Sequence, residues 1–529
     1  LSKLMERGVS GELESTIPPV TLPAWISFAT GKNPGKLGIY DILGRKNNGY
    51  ITQPWNPIPL KEKTLWDILG DHGFKTGVLN FPGTFPPRKV NGFMVTGMFT
   101  PSEKKNFTYP ERLKPELNHI VGRYELDADH WMYSKEDRFL QDIYRVTEKR
   151  GKAAEHLIQK FSCQFIIIVF TSTDRIQHVM WKHADRAHPQ HNPERAQKYS
   201  SAIKSYWRRL DEIVSKLIER FGEGGTILVM SDHGFGPRKK TFFVNEWLRQ
   251  KGLLKLRRPI GKNPLARVAE SLYYYLGNTR MYRVLTILLQ KLIGRELIYR
   301  YAFRFLSYEE LIKAVDWNQT KAFSCHHTAH LGHIYINLKG REPQGCVEPC
   351  DYEKLRNEII GRLSKLKDPW SKEQLKMEIY KPEEIYSGPY VNQAPDIIFL
   401  INDGECEADT TFGHNFPFKQ GSFDLRHTGT HTKKGLFIAS GPRIKEGIEI
   451  TGAKIVDLAP TLLCLFEIPV SKDMDGRILT EIFRKDIYPP EREATFTGAS
   501  EAKERESSRL SKRDQRMMME RLRRLGYLK

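Results

Sequence analysis

The chain has 529 residues, 40% of them hydrophobic, which is enough for a large core built as two to four domains or one elaborated domain. Its formal net charge of +20 favours anionic partners such as phosphate esters, nucleic acid or acidic lipid, and indicates no specific nucleic acid. No apolar run approaches the ~20 residues of a membrane span, and the six cysteines lack a C-x-x-C pair, which argues against a zinc ribbon and favours a reducing, cytoplasmic location.

The chain opens in a helical pattern at Leu1–Gly8, without Met, so we expect a further segment upstream. Short apolar runs alternate with amphipathic helices, of which Glu136–Phe161 and Glu194–Phe221 are the longest. This alternation predicts an α/β fold whose sheet is covered on both faces, with ligands at the carboxyl ends of the strands. The predicted strands are Thr76–Asn80, Phe165–Phe170, Thr226–Met230, Ile334–Asn337, Ile397–Ile401 and Leu436–Ala439.

Two segments interrupt this alternation. Residues 248–315, rich in helix formers, tyrosine and arginine, indicate a helical insertion that acts as a cap, an oligomer contact or a membrane-touching surface. Residues 486–529 form a charged tail, which we expect to be a solvated helix. The predicted catalytic core is therefore divided into residues 1–247 and 316–485. A histidine-rich stretch at 325–333 is either a further metal or substrate site or a loop without a role.

Acidic and histidine side chains follow the predicted strands. Asp174 comes just after one strand, and His178 lies four residues later, on the same side of a helical turn. Asp232 and His233 end the strand of "TILVMSDHGFGP", and His431 lies in the glycine-flanked loop of "RHTGTHTKKG". Two aspartates and three histidines form a mixed oxygen and nitrogen ligand set that suits zinc, with manganese as the alternative. On the residues alone, the set is a candidate for a divalent metal site.

A candidate nucleophile lies in "TIPPVTLPAWISFATGKNPGKLGIYD". Thr21 is framed by Pro18, Pro19 and Pro23, which restrict the local backbone. A hydroxyl is a weak nucleophile at neutral pH, but it ionises more readily beside a divalent cation.

The order of these motifs resembles the alkaline phosphatase superfamily, and within it the type I phosphodiesterase and nucleotide pyrophosphatase family. The resemblance implies a sandwich with a mostly parallel central sheet between helices, plus the helical insertion. It implies two metal ions and a phosphothreonine intermediate. The family's aspartate at the end of its first strand would lie before Leu1, outside this sequence, so the second metal is expected to lack one ligand. The implied groups are Thr21 as nucleophile, Asp174, His178 and His431 around one metal, and Asp232, His233 and Thr21 around the other.

The sequence departs from the family near the substrate. Where pyrophosphatases place an asparagine that binds the phosphoryl oxygens, this chain has Ile42, and Asn80 is a candidate substitute for substrate binding. We therefore expect a metal-dependent hydrolase of a small phosphate ester, most simply a phosphodiesterase or nucleotide pyrophosphatase. The alternatives are a phospho-head-group transferase or phosphomutase of the same superfamily, and a truncated, non-catalytic binding protein. The sequence leaves the oligomeric state open.

Overall fold

The computed structural model describes residues 1–45, 48–55, 62–128, 135–222, 224–257, 312–325, 331–421, 427–484, 511–525 and 527. The strands before residue 251 are β1 (Gly8–Glu14), β2 (Leu43–Arg45), β3 (Thr52–Pro54), β4 (Thr76–Phe81), β5 (Gly92–Thr96), β6 (Thr108–Tyr109), β7 (Phe165–Ile168), β8 (Ile227–Met230), β9 (Gly234–Pro237) and β10 (Lys240–Phe243). The helices of the same part are α1 (Ser2–Glu6), α2 (Thr21–Thr30), α3 (Pro34–Leu37), α4 (Leu65–Asp71), α5 (Leu113–Val121), α6 (Glu136–Phe161), α7 (Ser172–Ala184), α8 (Pro193–Tyr199), α9 (Ala202–Phe221) and α10 (Val244–Gln250).

The later strands are β11 (Ala322–Phe323), β12 (Gly332–Ile336), β13 (Met377–Tyr380), β14 (Ile397–Ile401), β15 (Cys406–Asp409), β16 (Phe418–Gln420), β17 (Gly429–Thr432), β18 (Lys434–Ser440) and β19 (Ile448–Lys454). The later helices are α11 (Tyr352–Leu363), α12 (Pro382–Ile385), α13 (Leu458–Leu465) and α14 (Lys512–Arg524).

One four-stranded sheet has the order β6-β5-β4-β7, in which β4 runs parallel to both β5 and β7. Every residue of β4 is buried, as the apolar run predicts for a strand covered on both faces. Val78 packs into the main core together with residues of α2, α4 and α13. Leu79 packs on the opposite face, against a separate core with residues of α5, α6 and α9. Helices therefore cover both faces, and the predicted α/β class is confirmed.

A second four-stranded sheet has the order β19-β1-β18-β8. β1 runs parallel to β19 but antiparallel to β18, and β8 also runs antiparallel to β18, so the strand pairing of the whole molecule is mixed. The backbones of β1 and β18 approach closely at Gly8, where a Cβ atom would lie 2.1 Å from the carbonyl oxygen of Ala439. Only glycine fits at that crossing.

A seven-stranded sheet has the order β11-β12-β14-β15-β10-β16, with β13 paired to β14. It has a hydrophobic core of its own, in which Trp247 of α10 and Ile359 of α11 pack with Phe399 of the sheet. Two further ladders, β2 with β3 and β17 with β9, lie outside the three larger sheets. β17 carries His431 of the predicted metal site, and β9 begins directly after His233.

The tail helix α14 packs on the core, so the expectation of a solvated helix is wrong. Met518, Leu522 and Leu525 are each 1% exposed and belong to the main core. Arg521 donates to the carbonyl oxygen of Thr100 at 3.0 Å and contacts Glu103 at 2.9 Å. The physical reason lies in the spacing, because residues 518, 522 and 525 fall on one face of a helix and form an apolar stripe.

The predicted elements agree well with the described ones. Each predicted strand is present with ends that differ by at most two residues, and Glu136–Phe161 is a helix over its full predicted length. The predicted helix Glu194–Phe221 is divided into α8 and α9 at Ser200 and Ser201. Most of the predicted insertion, residues 258–311, lies outside the described residues, and its role as a cap stays a prediction. Among the described helices, none is long and apolar enough to cross a membrane.

Candidate active site

Three segments bring the predicted metal ligands together. The carboxyl end of β7 leads into α7, whose first two turns carry Asp174 and His178. The carboxyl end of β8 leads directly to Asp232 and His233. β17 pairs antiparallel with β9 and places His431 opposite Phe235. Asp174, Asp232 and His233 thus follow strand ends, as predicted, but the predicted loop position of His431 is wrong, because the residue lies within β17, where it pairs with β9.

Asp174, His178 and His431 form a compact group of potential metal ligands. His178 Nε2 lies 3.3 Å from Asp174 Oδ1. His431 Nε2 lies 3.0 Å from the same oxygen and 3.2 Å from His178 Nε2. Both rings are buried, and among the described residues this is the group whose ligand atoms all lie within 4.8 Å of one another.

The hydrogen bonds of the two imidazole rings indicate which ring nitrogen carries the hydrogen and which presents a lone pair to the other ligand atoms. His178 Nδ1 lies 2.9 Å from the carbonyl oxygen of Gly429, and His431 Nδ1 lies 3.0 Å from that of Pro19. A carbonyl oxygen only accepts, so each Nδ1 carries the ring hydrogen, and Nε2 of the neutral ring presents a lone pair. Burial lowers the pKa of His431 to about 3, which keeps its ring neutral. Two lone pairs and a carboxylate oxygen thus converge without a hydrogen between them, and this arrangement fits a divalent cation.

Asp232 and His233 form the adjoining part of the site. His233 Nε2 lies 3.3 Å from Asp232 Oδ2 and 3.9 Å from Asp174 Oδ1. The rings of His233 and His431 stack with centroids 3.5 Å apart. Burial raises the pKa of Asp232 and the negative charge of Asp174 adds to the rise, whereas the neighbouring His233 lowers it. Two carboxylates in one buried site raise the free energy of the doubly ionised form, and a bound cation would remove that cost.

The pKa of Asp174 moves the other way. Burial alone would raise it, but the neighbouring groups His178, His431 and Arg175 together hold it well below its usual range. Asp174 is therefore the carboxylate that stays ionised across the physiological pH range. An anionic carboxylate beside two imidazole nitrogens again fits a cation.

Thr21 begins α2, a ten-residue helix that is buried along its whole length. One contact ties the start of this helix to the ligand group, since the carbonyl of Pro19, two residues before Thr21, accepts a hydrogen bond from His431 Nδ1 at 3.0 Å. The start of α2 therefore lies near the predicted metal site, and the role of the Thr21 hydroxyl as nucleophile stays a prediction.

Asn80, the candidate substrate-binding residue, lies at the carboxyl end of β4 and is fully buried. It adopts a left-handed conformation with φ of 60°. Its Oδ1 accepts a hydrogen bond from the hydroxyl of Tyr124, and its Nδ2 has no partner among the described residues. The structure places Asn80 beneath the surface, and its role in substrate binding stays a prediction.

The sequence reasoning missed a charged network behind Asp174. Arg175, 1% exposed, donates to Asp174 Oδ2 at 2.6 Å and to Asp127 Oδ2 at 2.9 Å. It also donates to the hydroxyl of Tyr527 in the tail at 2.7 Å. The position of Arg175 directly after Asp174 could have indicated an ion pair between them. Nothing in the local sequence pattern indicated that either residue contacts the tail. Residues 326–330 of the histidine-rich stretch lie outside the described residues.

Comparison with known sequences decides the family. The sequence model of the family described as type I phosphodiesterase / nucleotide pyrophosphatase matches residues 1–415. The chain belongs to this family. The resemblance seen in the motifs is thus confirmed, and so is the enzyme class, a hydrolase of phosphoric esters or anhydrides. The match ends before His431, whose place in the site comes from the structure. Among curated proteins, no sequence matches this chain.

Solved structures of low sequence identity overlap most of this type I phosphodiesterase / nucleotide pyrophosphatase chain. One is phosphonoacetate hydrolase from Sinorhizobium meliloti 1021 in complex with phosphonoformate, 15% identical, with 87% of each chain covered and a TM-score of 0.46. Another is murine ectonucleotide pyrophosphatase / phosphodiesterase 5, 11% identical, with 91% of this chain and 94% of the other covered and a TM-score of 0.45. At these TM-scores the overlaps are too loose to align individual residues.

Proposed function

We propose that this chain is a metal-dependent phosphodiesterase or pyrophosphatase in which the hydroxyl of Thr21 is the nucleophile. The observation that carries the proposal is the convergence of Asp174 Oδ1, His178 Nε2 and His431 Nε2, with contacts of 3.0 to 3.3 Å and both imidazole Nδ1 hydrogens held by carbonyls. The family supports the reaction class, and the position of α2 beside the ligands supports the choice of nucleophile.

Two divalent ions, zinc or manganese, fit the donor set. Asp174, His178 and His431 would hold one, and Asp232, His233 and Thr21 would hold the other. When bound, such ions withdraw charge from phosphoryl oxygens and favour ionisation of a neighbouring hydroxyl. A phosphate bound at the start of α2 would also be stabilised by the positive end of that helix's dipole.

The chain's own residues then define the steps. Thr21 Oγ attacks phosphorus as its proton passes to solvent, and the bond from phosphorus to the leaving oxygen breaks on the opposite side. The leaving alcohol or phosphate takes up a proton from solvent. Water next attacks the phosphothreonine, which releases a phosphate monoester and restores the Thr21 hydroxyl. Arg175 keeps Asp174 ionised and oriented throughout, because it donates to the carboxylate oxygen that faces away from the histidines.

The test compares Thr21→Ala with a matched control, Thr30→Ala, in which a buried threonine at the other end of the same helix is changed. Turnover of bis-p-nitrophenyl phosphate, p-nitrophenyl phosphate and a nucleoside 5′-p-nitrophenyl phosphate is measured with added zinc or manganese. We expect Thr21→Ala to lose activity by about a thousandfold or more and to keep its metal content. Thr21→Ser should retain measurable turnover, and Thr30→Ala should remain near wild type.

Acid quenching during turnover of a phosphate-labelled substrate should trap phosphothreonine in the wild type and not in Thr21→Ala. Wild-type rates in Thr21→Ala would assign the attack to water instead. Transfer of the phosphoryl group to an added alcohol in place of hydrolysis would favour the transferase alternative.

We also propose a cytoplasmic location, which the six cysteines support, since none forms a disulfide.

A further inference from the structure

Asp174 is held by a buried arginine that is shared with a second carboxylate. Arg175 Nη1 donates to Asp174 Oδ2 at 2.6 Å, and Arg175 Nη2 donates to Asp127 Oδ2 at 2.9 Å. The side chain of Arg175 is 1% exposed, and that of Asp127 is 3% exposed. Asp127 lies 48 residues before Arg175, so the fold, and not the local sequence, brings the three charges together.

The geometry of Asp174 shows what this arrangement controls. Its Oδ1 lies 3.0 Å from His431 Nε2 and 3.3 Å from His178 Nε2, whereas its Oδ2 accepts from Arg175. The arginine therefore holds the carboxylate with one oxygen directed at the two imidazoles. A shift of the guanidinium would turn that oxygen away from the other candidate ligand atoms.

Two further contacts keep the guanidinium in place. Asp127 is itself fixed, because its Oδ1 accepts from the backbone of Ala128 at 2.9 Å while its Oδ2 binds Arg175. The hydroxyl of Tyr527 accepts from Arg175 Nη1 at 2.7 Å. Burial alone would raise the pKa of Asp127, but the neighbouring Arg175 holds that pKa below its usual range. Asp127 is therefore ionised at neutral pH.

Asp127 also sets the net charge beside the candidate metal ligand. If Arg175 paired with Asp174 alone, its charge would cancel that of the carboxylate, and a cation would gain less from binding there. With Asp127 ionised, the three side chains carry one more negative than positive charge, and a bound ion benefits from that excess. A carboxylate that supports a ligand in this way affects metal affinity without being a ligand itself.

We propose that Asp127, assisted by Tyr527, is a positioning residue of the metal site, which fixes Arg175 and through it the orientation and charge of Asp174. This inference rests on the proposed function, because Asp174 is a metal ligand only there. It assigns the part of the site that determines how tightly the first ion binds to a residue that contacts neither the ion nor the substrate.

Asp127→Asn in the full chain tests the proposal, because it removes the charge and keeps the size of the side chain. Calorimetric titration with zinc, in the absence of substrate, measures the effect, and we expect affinity to fall by about tenfold to a hundredfold. The matched control is Asp396→Asn, which changes another buried aspartate, paired with Arg341 at 2.6 Å just before β14 of the seven-stranded sheet. Its zinc affinity should equal that of the wild type.

A double-mutant cycle shows whether Asp127 acts through Arg175. In an Arg175→Gln background, Asp127→Asn should change zinc affinity by less than about twofold, because the group through which it acts is gone. An effect of the same size in both backgrounds would show a general structural role and overturn the inference. Should Asp127→Asn fail to fold, Tyr527→Phe decides instead. It removes one acceptor from the same guanidinium and should weaken zinc binding by about threefold to tenfold, whereas an unchanged affinity would overturn the inference.

These measurements keep the inference separate from the proposed function. Catalysis does not enter the titration, so a nucleophile other than Thr21 would leave the inference intact. If His178→Gln weakens zinc binding and Asp127→Asn does not, the inference is wrong and the proposed metal site stands. If His178→Gln leaves zinc binding unchanged, the proposed metal site is wrong, and the role of Asp127 falls with it.

Discussion

The side chains of His178 and His431 are held in one orientation by hydrogen bonds to the backbone. Each ring donates its Nδ1 hydrogen to a backbone carbonyl, so neither can rotate without losing a hydrogen bond in a buried place. The two Nε2 atoms are left 3.2 Å apart, a spacing that two lone pairs tolerate only with a positive group nearby. In the proposed metal site, the orientation of these nitrogens is therefore fixed before an ion binds, and this should raise the affinity for the ion.

The first prediction concerns these ligands. His178→Gln should weaken zinc binding by more than about a hundredfold, because it removes a ligand nitrogen and its bond to Gly429. The control is His183→Gln, which changes another buried histidine of the same helix that lies beside Glu136 instead. Calorimetric zinc titration of both variants gives the comparison. Equal, tight binding in the two variants would show that the ion is held elsewhere.

For single residues, the sequence predicted the candidate metal ligands better than the residues that hold those ligands in place. Asp174, His178, Asp232, His233 and His431 were identified because acid and histidine side chains after buried strands have a specific chemical use. Arg175, Asp127 and Tyr527 were missed, because their function is to hold another residue, and such a function depends on which distant groups meet. No local pattern shows that Tyr527 would lie beside Arg175, 352 residues away.

The antiparallel pair of β9 and β17 is the element that carries His431 and follows His233. Its backbone packs against the chain at the start of β18, where a Cβ at Gly234 would lie 1.9 Å from the carbonyl oxygen of Lys434. This contact leaves no room for any side chain. The pair thus depends on one glycine directly after a candidate ligand.

The second prediction follows from that contact. Gly234→Ala should destabilise the fold by about 1–3 kcal/mol, because the backbone of one strand has to move, and it should also reduce metal content through the shift of His233. Gly44→Ala is the control, since a Cβ there would meet nothing within 4 Å. Thermal unfolding and metal analysis of the two variants test it. An unchanged Tm for Gly234→Ala would contradict the close approach.

The third prediction is a loss of stability in acid caused by His188, which links the segment after α7 to two other segments. Its Nε2 donates to the carbonyls of Arg238 and Thr428, and its Nδ1 accepts from the backbone of Gln190. Burial lowers the pKa of His188 to about 4 from a usual 6.5. Between these values the unfolded chain binds a proton that the native chain excludes. About 3 kcal/mol of stability, present in full above pH 6.5, should therefore be lost progressively as the pH falls to 4.

Urea unfolding at pH 7.5 and pH 4.5 measures this loss. His188→Gln cannot take up a proton, so the difference in unfolding free energy between the two pH values should be smaller in the variant than in the wild type. An identical pH dependence in both proteins would assign the acid sensitivity to other groups.

The elements themselves were predicted well, because buried strands with both faces covered have a nearly continuous apolar composition that few other structures share. β14 was predicted with its observed bounds. The break between α8 and α9 was not predicted. Ser200 and Ser201 lie there, and serine competes with helical hydrogen bonding in a way that periodicity does not reveal. The mixed pairing around β18 was also beyond sequence reasoning, since strand direction depends on contacts between β1, β8 and β19.

At the scale of the whole molecule, the net charge of +20 should affect the encounter with an anionic substrate. The fourth prediction is that kcat/KM for a phosphate diester falls several-fold between about 50 and 500 mM salt, while kcat changes little, because salt screens attraction before binding. Steady-state kinetics across this range gives the result. A constant kcat/KM would place the positive surface away from the route to the site.

The docking of α14 and Tyr527 has a consequence for how the protein is made. A ribosome adds roughly 5–20 residues each second, so on the order of a minute separates the synthesis of Thr21 from that of Tyr527. During that minute the nascent chain can pair its strands, yet the residues that complete its main core, Met518 and Leu522, and the phenol that accepts from Arg175 have not been translated. Newly made molecules should therefore keep part of their main core exposed to water until translation has passed these residues. A message cut short before residue 511 would yield a chain in which that part of the core stays uncovered, and we expect such a chain to aggregate.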